Sequence, residues 1–410
     1  MNNKISSQRP LMFLLPLFVL LMTAQVASAV EQTWVASWIA SASTLTPAPE
    51  SEVSEKYQDQ SLRMVLHTSA GGSQVRLRIA NTHGNQMLKV AAANIALYDK
   101  DGSIVVKSAR PVTFSQHPSI VIPRGATAIS DAIEFEVPAM TNLAVSLYIA
   151  EASPSITRHM NANQRSWVAG GNQIASAAFV EAKVINSWDF VSSLEVLAND
   201  KPKVIAAVGD SITDGFLSTV DGNNRWPNYL SRRLAKESKQ TFSVVNAGIS
   251  GNRVLREGLP RFGENLLARL ERDVFSIPGL SHIVLLEGIN DIGMGARNPA
   301  DKVSAEELIA GYRLVIAHAH ARGVKIIGAT LLPFQGAGYF SVDGEKTRLQ
   351  VNQWIREGGE YDGVIDFEKA TRDPELPGQI LPAFTQDNLH PNDAGYEAMA
   401  NSIDLNLFFN

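Results

Sequence analysis

Four short segments of the chain carry residue types that together suit acyl transfer. "GDSIT" follows the apolar run "KVIAAV" and brings Ser211; "NAGISGN" follows "FSVV" and brings Gly251; "GIND" follows "HIVLLE" and brings Asn290. Near the C-terminus, "DNLHPN" brings Asp387 and His390. A hydroxyl attacks an ester carbonyl only when a base takes its proton, and imidazole is the side chain suited to that near neutral pH. A carboxylate orients the imidazole, and hydrogen-bond donors must meet the charge that develops on the carbonyl oxygen. The assignment is therefore Ser211 as nucleophile, His390 as base and Asp387 as orienting acid. The oxyanion donors would be the backbone N–H of Ser211, the backbone N–H of Gly251 and the Asn290 side-chain amide. Asp387 and His390 stand three residues apart, a spacing that a single turn of backbone brings to one side.

Each segment alone has a plainer explanation. Asp210 or Ser211 could simply cap a helix, Gly248 and Gly251 could serve turns that need positive φ, and Asn290 and His390 could mark the starts of further helices. Four such segments at four strand ends favour a common site. Asp210, Asp214 and Asp291 are read as loop-holding carboxylates that accept backbone N–H groups. His318 and His320 lie two apart on a helical stretch, so they point apart and make a poor metal pair.

The elements that must position these residues follow from hydrophobic periodicity. After the polar stretch "ANDKPK" (198–203), the apolar runs "KVIAAVG", "FSVVNAG", "HIVLLEG", "VKIIGAT" and "GVIDF" alternate with helical segments at 226–238 and 305–322. This predicts an α/β fold, a parallel sheet with helices on both faces. Ligands bind at the carboxyl ends of such strands, which is where the four segments fall. From 34 to about 197 the period is two: in "QVRLRIANT", Val75, Leu77 and Ile79 share one face while Arg76 and Arg78 share the other. Turn formers such as Gly71-Gly72 and Asp101-Gly102 break the runs, so this half predicts an all-β, jelly-roll-like sandwich. Trp34, Trp38, Trp167 and Trp188 are expected in its core or at its interface. The expected organisation is 1–29 signal peptide, 30–199 β-sandwich accessory domain and 200–410 catalytic domain.

The four blocks, in this order from 211 to 390, resemble the SGNH hydrolases, also called GDSL-type esterases and lipases. The resemblance places the family's nucleophile on Ser211, its glycine and asparagine donors on Gly251 and Asn290, and its acid and base on Asp387 and His390. Ile212 replaces the family's leucine. The resemblance implies a flavodoxin-like sheet and ester hydrolysis with no metal and no cofactor. The first half is similar to the β-sandwich that precedes the catalytic domain in a bacterial and fungal subgroup.

Composition bounds the rest. The 410 residues exceed one ordinary domain of about 100 to 200 residues. Lys4 and Arg9, an apolar run at 11–22 and Ala27-Ser28-Ala29 read as a cleavable signal peptide, and hence a secreted or periplasmic protein. No second apolar run is long enough to predict a membrane span after cleavage. With no cysteine, a thiol nucleophile, a thiolate metal site and a disulfide are excluded. A net charge of −5 argues against nucleic acid as partner. The expected function is a secreted serine esterase acting on a small-molecule or glycan ester with short acyl or acetyl groups. The loops at 253–265, 293–302 and 334–343 would set selectivity. Two alternatives stand beside it: a metal-dependent phosphoesterase built on Asp210, Asp291, Asp387 and His390, and a non-enzymatic glycan-binding protein.

Overall fold

The computed structural model describes residue 1 and residues 32–43, 56–257 and 259–409. The segment expected to be a signal peptide, Met1 aside, lies outside the described residues. Among the described residues, no helix is long and apolar enough to cross a membrane.

The half with period two folds as two antiparallel sheets. Its principal strands are β1 (Thr33–Ile39), β2 (Gln60–His67), β3 (Gly72–Ala80), β4 (Ala92–Leu97), β5 (Arg110–Val112), β6 (Ile133–Val137), β7 (Asn142–Ile149) and β8 (Val191–Ala198). One sheet runs β1-β8-β3 with β6 on the far edge of β3, and the other runs β2-β7-β4-β5. That is the strand order of a jelly roll. Short strands extend both sheets, among them Thr127–Ile129 beside β3 and Ser166–Gly170 beside β2. The alternation read from β3 is realised: Val75, Leu77 and Ile79 are buried in the core, while Arg76 and Arg78 on the opposite face both bind Glu195 of β8. Trp38, Trp167 and Trp188 are buried, and Trp38 meets Trp188 edge to face with ring centroids 5.0 Å apart.

From Lys203 onward the sheet is parallel. Strands β9 (Lys203–Gly209), β10 (Phe242–Gly248), β11 (Leu280–Leu286), β12 (Lys325–Ala329) and β13 (Gly363–Ile365) lie in the order β10-β9-β11-β12-β13. This is the 2-1-3-4-5 order of flavodoxin-like folds. Every residue of β9 from Val204 to Val208 is fully buried, as a central strand covered on both faces requires. The helices are α1 (Ser211–Asp214), α2 (Trp226–Glu237), α3 (Leu266–Leu270), α4 (Ile289–Arg297), α5 (Ala305–His320), α6 (Val342–Glu357), α7 (Phe367–Thr371) and α8 (Asp393–Asn401). A capping box, Ser304 with Glu307, starts α5.

The sandwich covers one edge of this sheet. β10 is an edge strand, and β1 packs along it: Ser243 Oγ donates to the Ala36 carbonyl at 2.6 Å and lies 2.6 Å from Ser69 Oγ. The Ala36 N–H reaches the Pro278 carbonyl at 3.0 Å. An uncovered strand edge is an aggregation hazard, and β1 covers this one.

Candidate active site

The close approach of β9 to its neighbours sets the position of Ser211. A Cβ on Gly209 would lie 2.2 Å from the Leu286 carbonyl oxygen, so the strand can end there only with glycine. Asp210 then caps the one-turn helix α1, accepting the Ile212 N–H at 3.0 Å, and Ser211 is the first residue of that turn. His390 does not stand at a fourth strand end as expected: the last strand, β13, ends at Ile365, and His390 comes from a turn beyond α7. Asp387 Oδ1 accepts the N–H groups of Leu389 (3.0 Å) and His390 (2.8 Å), and Thr385 Oγ1 donates to the His390 carbonyl at 2.8 Å. The same turn brings Asp387 Oδ2 to 2.7 Å from His390 Nδ1, while His390 Nε2 stands 2.8 Å from Ser211 Oγ. Phe216 supports the ring edge-on, with centroids 4.7 Å apart. Burial opposes ionisation of Asp387, but hydrogen bonds from the His390 ring and backbone outweigh it and hold the carboxyl down to about 2. A carboxylate facing Nδ1 keeps the proton there and leaves the Nε2 lone pair toward Ser211.

Gly251 and Asn290 meet Ser211 and His390 around one cleft of about 210 Å³. Gly251 has φ +80, and a Cβ on it would lie 2.4 Å from the Phe262 ring. Asn290 is the second residue of α4. Its Nδ2 donates to the Asn252 carbonyl at 3.0 Å and its Oδ1 accepts from the Tyr339 hydroxyl at 3.2 Å, leaving one amide N–H unused. Among the described residues, no protein group takes the N–H of Ser211 or Gly251. All five residues singled out in the sequence are thus brought together. Each of the three segments named for selectivity also reaches the cleft, 253–265 through Phe262 and 334–343 through Tyr339, while 293–302 does so from the end of α4 and not from a loop, through Met294 and Arg297.

Residues 207–398 match the family model for GDSL-like lipases and acylhydrolases. This stretch is a GDSL-like lipase/acylhydrolase domain. Its enzyme class is carboxylic ester hydrolase, and the matched span contains Ser211, Gly251, Asn290, Asp387 and His390. Among solved structures, an acetylxylan esterase from Geobacillus stearothermophilus is 23% identical with a TM-score of 0.40, over 51% of this chain and 95% of that one. A GDSL-like lipase from Bacteroides thetaiotaomicron is 18% identical with a TM-score of 0.38, over 50% of this chain and 87% of that one. No curated protein matches the chain.

Behind the cleft, the acylhydrolase domain is held by buried ionisable side chains. The three aspartates read as loop holders act so: Asp210 on Ile212, Asp214 on the Ser250 N–H at 3.0 Å, and Asp291 on the N–H groups of Val254 (2.8 Å) and Leu255 (3.0 Å). Sequence reasoning missed Arg269, which is fully buried and ties three strand ends together. Its guanidinium donates to the Ala247 carbonyl at 2.9 Å and the Gly209 carbonyl at 3.4 Å, and lies 3.7 Å from Glu287. It also missed Asn161, which comes from the sandwich with φ +57 and lines the cleft. An arginine in an apolar helical stretch and an asparagine in a turn carry no local signal for these roles.

Burial pushes the Glu287 carboxyl up to about 8 against the pull of Arg269, and neither of its oxygens has a hydrogen-bond partner among the described residues. Raised above its unfolded value, Glu287 binds a proton in the fold that it has lost in the unfolded chain. Its contribution to stability is therefore full below the ordinary carboxylate range and falls away as pH rises through about 8. Glu287→Gln should leave the melting temperature near that of the parent at pH 5 and exceed it at pH 9. An equal shift at both pH values would show that Glu287 is ionised in the fold throughout.

Proposed function

We propose that the chain is an exported serine esterase, secreted or periplasmic, that hydrolyses short-chain or acetyl esters through Ser211, His390 and Asp387. The observation that carries this reading is the continuous line of hydrogen bonds from Asp387 through His390 to Ser211, opening on a cleft that also holds Gly251 and Asn290. In the reaction, His390 takes the Ser211 proton as Oγ adds to the ester carbonyl. The N–H groups of Ser211 and Gly251 and the Asn290 amide receive the oxyanion. His390 returns the proton to the departing alcohol, leaving an acyl-serine. It then activates water for the second addition, which releases the acid and regenerates Ser211. Asp387 remains a carboxylate and steadies the imidazolium in both halves.

The dimensions of the cleft support a short acyl group. Its volume of about 210 Å³ is below the roughly 300–1,000 Å³ of pockets that enclose drug-sized ligands, and Phe262, Met294 and Tyr339 stand around it. The alcohol part is proposed to be a small molecule or a carbohydrate. Against the metal-dependent phosphoesterase, the carboxylates of Asp210 and Asp291 are buried and committed to backbone N–H groups. Against a decayed glycan-binding protein, the full set of hydrogen-bonded reactive groups is intact.

A p-nitrophenyl ester series tests acyl length, with acetate and propionate expected to exceed octanoate in kcat/KM, and acetyl-xylan tests a carbohydrate alcohol. Activity confined to long chains would overturn the short-acyl reading, and activity lost to EDTA and restored by a metal would favour the phosphoesterase. Asn290 donates to charge present only in the transition state, so Asn290→Ala should lower kcat by about 10²- to 10³-fold with little change in KM. An effect on KM alone would make Asn290 a substrate-binding group instead.

A further inference from the structure

His159 comes from the short sandwich strand Arg158–Met160, yet it contacts the turn that carries the nucleophile. Its Nδ1 lies 2.7 Å from the Ser41 carbonyl oxygen and its Nε2 lies 2.9 Å from Asp214 Oδ1. His159 is 4% exposed and Asp214 2%. The other oxygen of Asp214 accepts both the Ser250 N–H (3.0 Å) and the Ser250 hydroxyl (2.6 Å). Asp214 is three residues after Ser211 on α1, and Ser250 is the residue before Gly251. One carboxylate therefore joins the two segments whose backbone N–H groups form the oxyanion site, and a side chain of the sandwich holds that carboxylate.

We propose that His159 is a positioning residue for ester hydrolysis, fixing through Asp214 the distance between the Ser211 and Gly251 oxyanion donors. The inference rests on the oxyanion assignment made above. With both ring nitrogens facing oxygen acceptors, both act as donors and the ring is an imidazolium paired with Asp214. Burial opposes this protonation, while the Asp214 carboxylate and the Ser41 carbonyl favour it and prevail. The ring is also fixed by Trp188, with centroids 5.3 Å apart. Two more contacts brace the same turn: Asn163 Nδ2 donates to the Gly215 carbonyl at 2.6 Å, and Arg225, whose guanidinium also reaches the Ala162 carbonyl, donates through Nε to the Asp214 carbonyl at 2.6 Å. Through these contacts the sandwich helps to build the catalytic geometry. Displacing a donor by about 1 Å can cost about 10²-fold in rate, so a lost pin should be visible in kcat.

The test uses the full chain and four variants. His159→Phe keeps the ring against Trp188 but removes both donors, and Asp214→Ala removes the bridge. Each should lower kcat by about 10- to 10²-fold with KM within about threefold, and the double variant should be no worse than the poorer single one, because both remove the same connection. Asp214→Asn should stay within about fivefold of the parent: its oxygen can accept both Ser250 donors while its NH₂ donates to a neutral His159. A boronic acid that forms a tetrahedral adduct on Ser211 should lose affinity in proportion to the loss of kcat/KM. Wild-type kcat in His159→Phe, a loss confined to KM, or multiplying losses in the double variant would overturn the proposal. If His159→Phe fails to fold, the aspartate pair decides, and equal losses in Asp214→Asn and Asp214→Ala would overturn it. Fluorophosphonate labelling of Ser211 separates the two readings: labelled Ser211 with an indifferent His159 defeats only this inference, whereas no labelling defeats the serine mechanism itself.

Discussion

Ser211→Ala is expected to lower kcat for p-nitrophenyl acetate by about 10⁴-fold or more while leaving the melting temperature close to that of the parent. The oxygen removed is the only atom assigned to bond to the acyl group, and no water in its place would receive the same alignment with His390 Nε2. The fold should tolerate the change because Asp210, not Ser211, supplies the cap of α1, and the Ser211 hydroxyl's hydrogen bond is to His390 alone. Labelling by a fluorophosphonate, read by mass spectrometry, should fall on Ser211 in the parent and vanish in the variant. An alanine variant that retains substantial hydrolysis would remove the serine mechanism.

His390→Ala should be nearly as damaging, again about 10⁴-fold or more in kcat, whereas Asp387→Ala should remain about 10- to 10²-fold more active than His390→Ala. The difference follows from their tasks. His390 moves the proton in every step, whereas Asp387 orients the ring and steadies its charge; without it Phe216 still supports the ring and the Thr385 hydroxyl still holds the His390 carbonyl. Held down to about 2, Asp387 keeps its charge through the whole range in which the enzyme would be assayed. The pairing with His390 also stabilises the fold at and above the ordinary carboxylate range, and that contribution disappears as pH falls through about 2. Equal and complete loss in Asp387→Ala and His390→Ala would mean that Asp387 does more than orient.

The parallel strands were the most legible part of the chain. "KVIAAVG" and "FSVVNAG" correspond to β9 and β10 residue for residue, because each is an apolar run closed by a glycine that must turn. β11 starts two residues before the predicted "HIVLLEG", at Leu280, where pairing with β9 begins at Val204 despite the polar Ser281. Helix α5 starts where expected, since Ser304 and Glu307 make a local capping box, but ends two residues before 322 in a final turn. Local signals locate an element well and its fraying end less well.

The two periods, the parallel and antiparallel halves, and the five residues that meet around the cleft can all be read from the order of the amino acids. Strand ends of a parallel sheet share one edge, so Ser211, Gly251 and Asn290, which follow apolar runs, are carried there by the architecture, whereas Asp387 and His390 stand on a turn well past the last strand. What holds those residues at working distance depends on contacts between distant parts of the chain. His159 is 55 positions from Asp214, Arg269 is 60 from Gly209, and Ser211 is 179 from His390. Periodicity reports which neighbours within an element share a face, and it says nothing about which distant group will meet a buried charge. A buried charge persists only beside a specific partner, and the partner is chosen by how the layers pack. The nucleophile could thus be found in "GDSIT", while the sandwich histidine that braces its turn became visible only when the two halves were seen packed together.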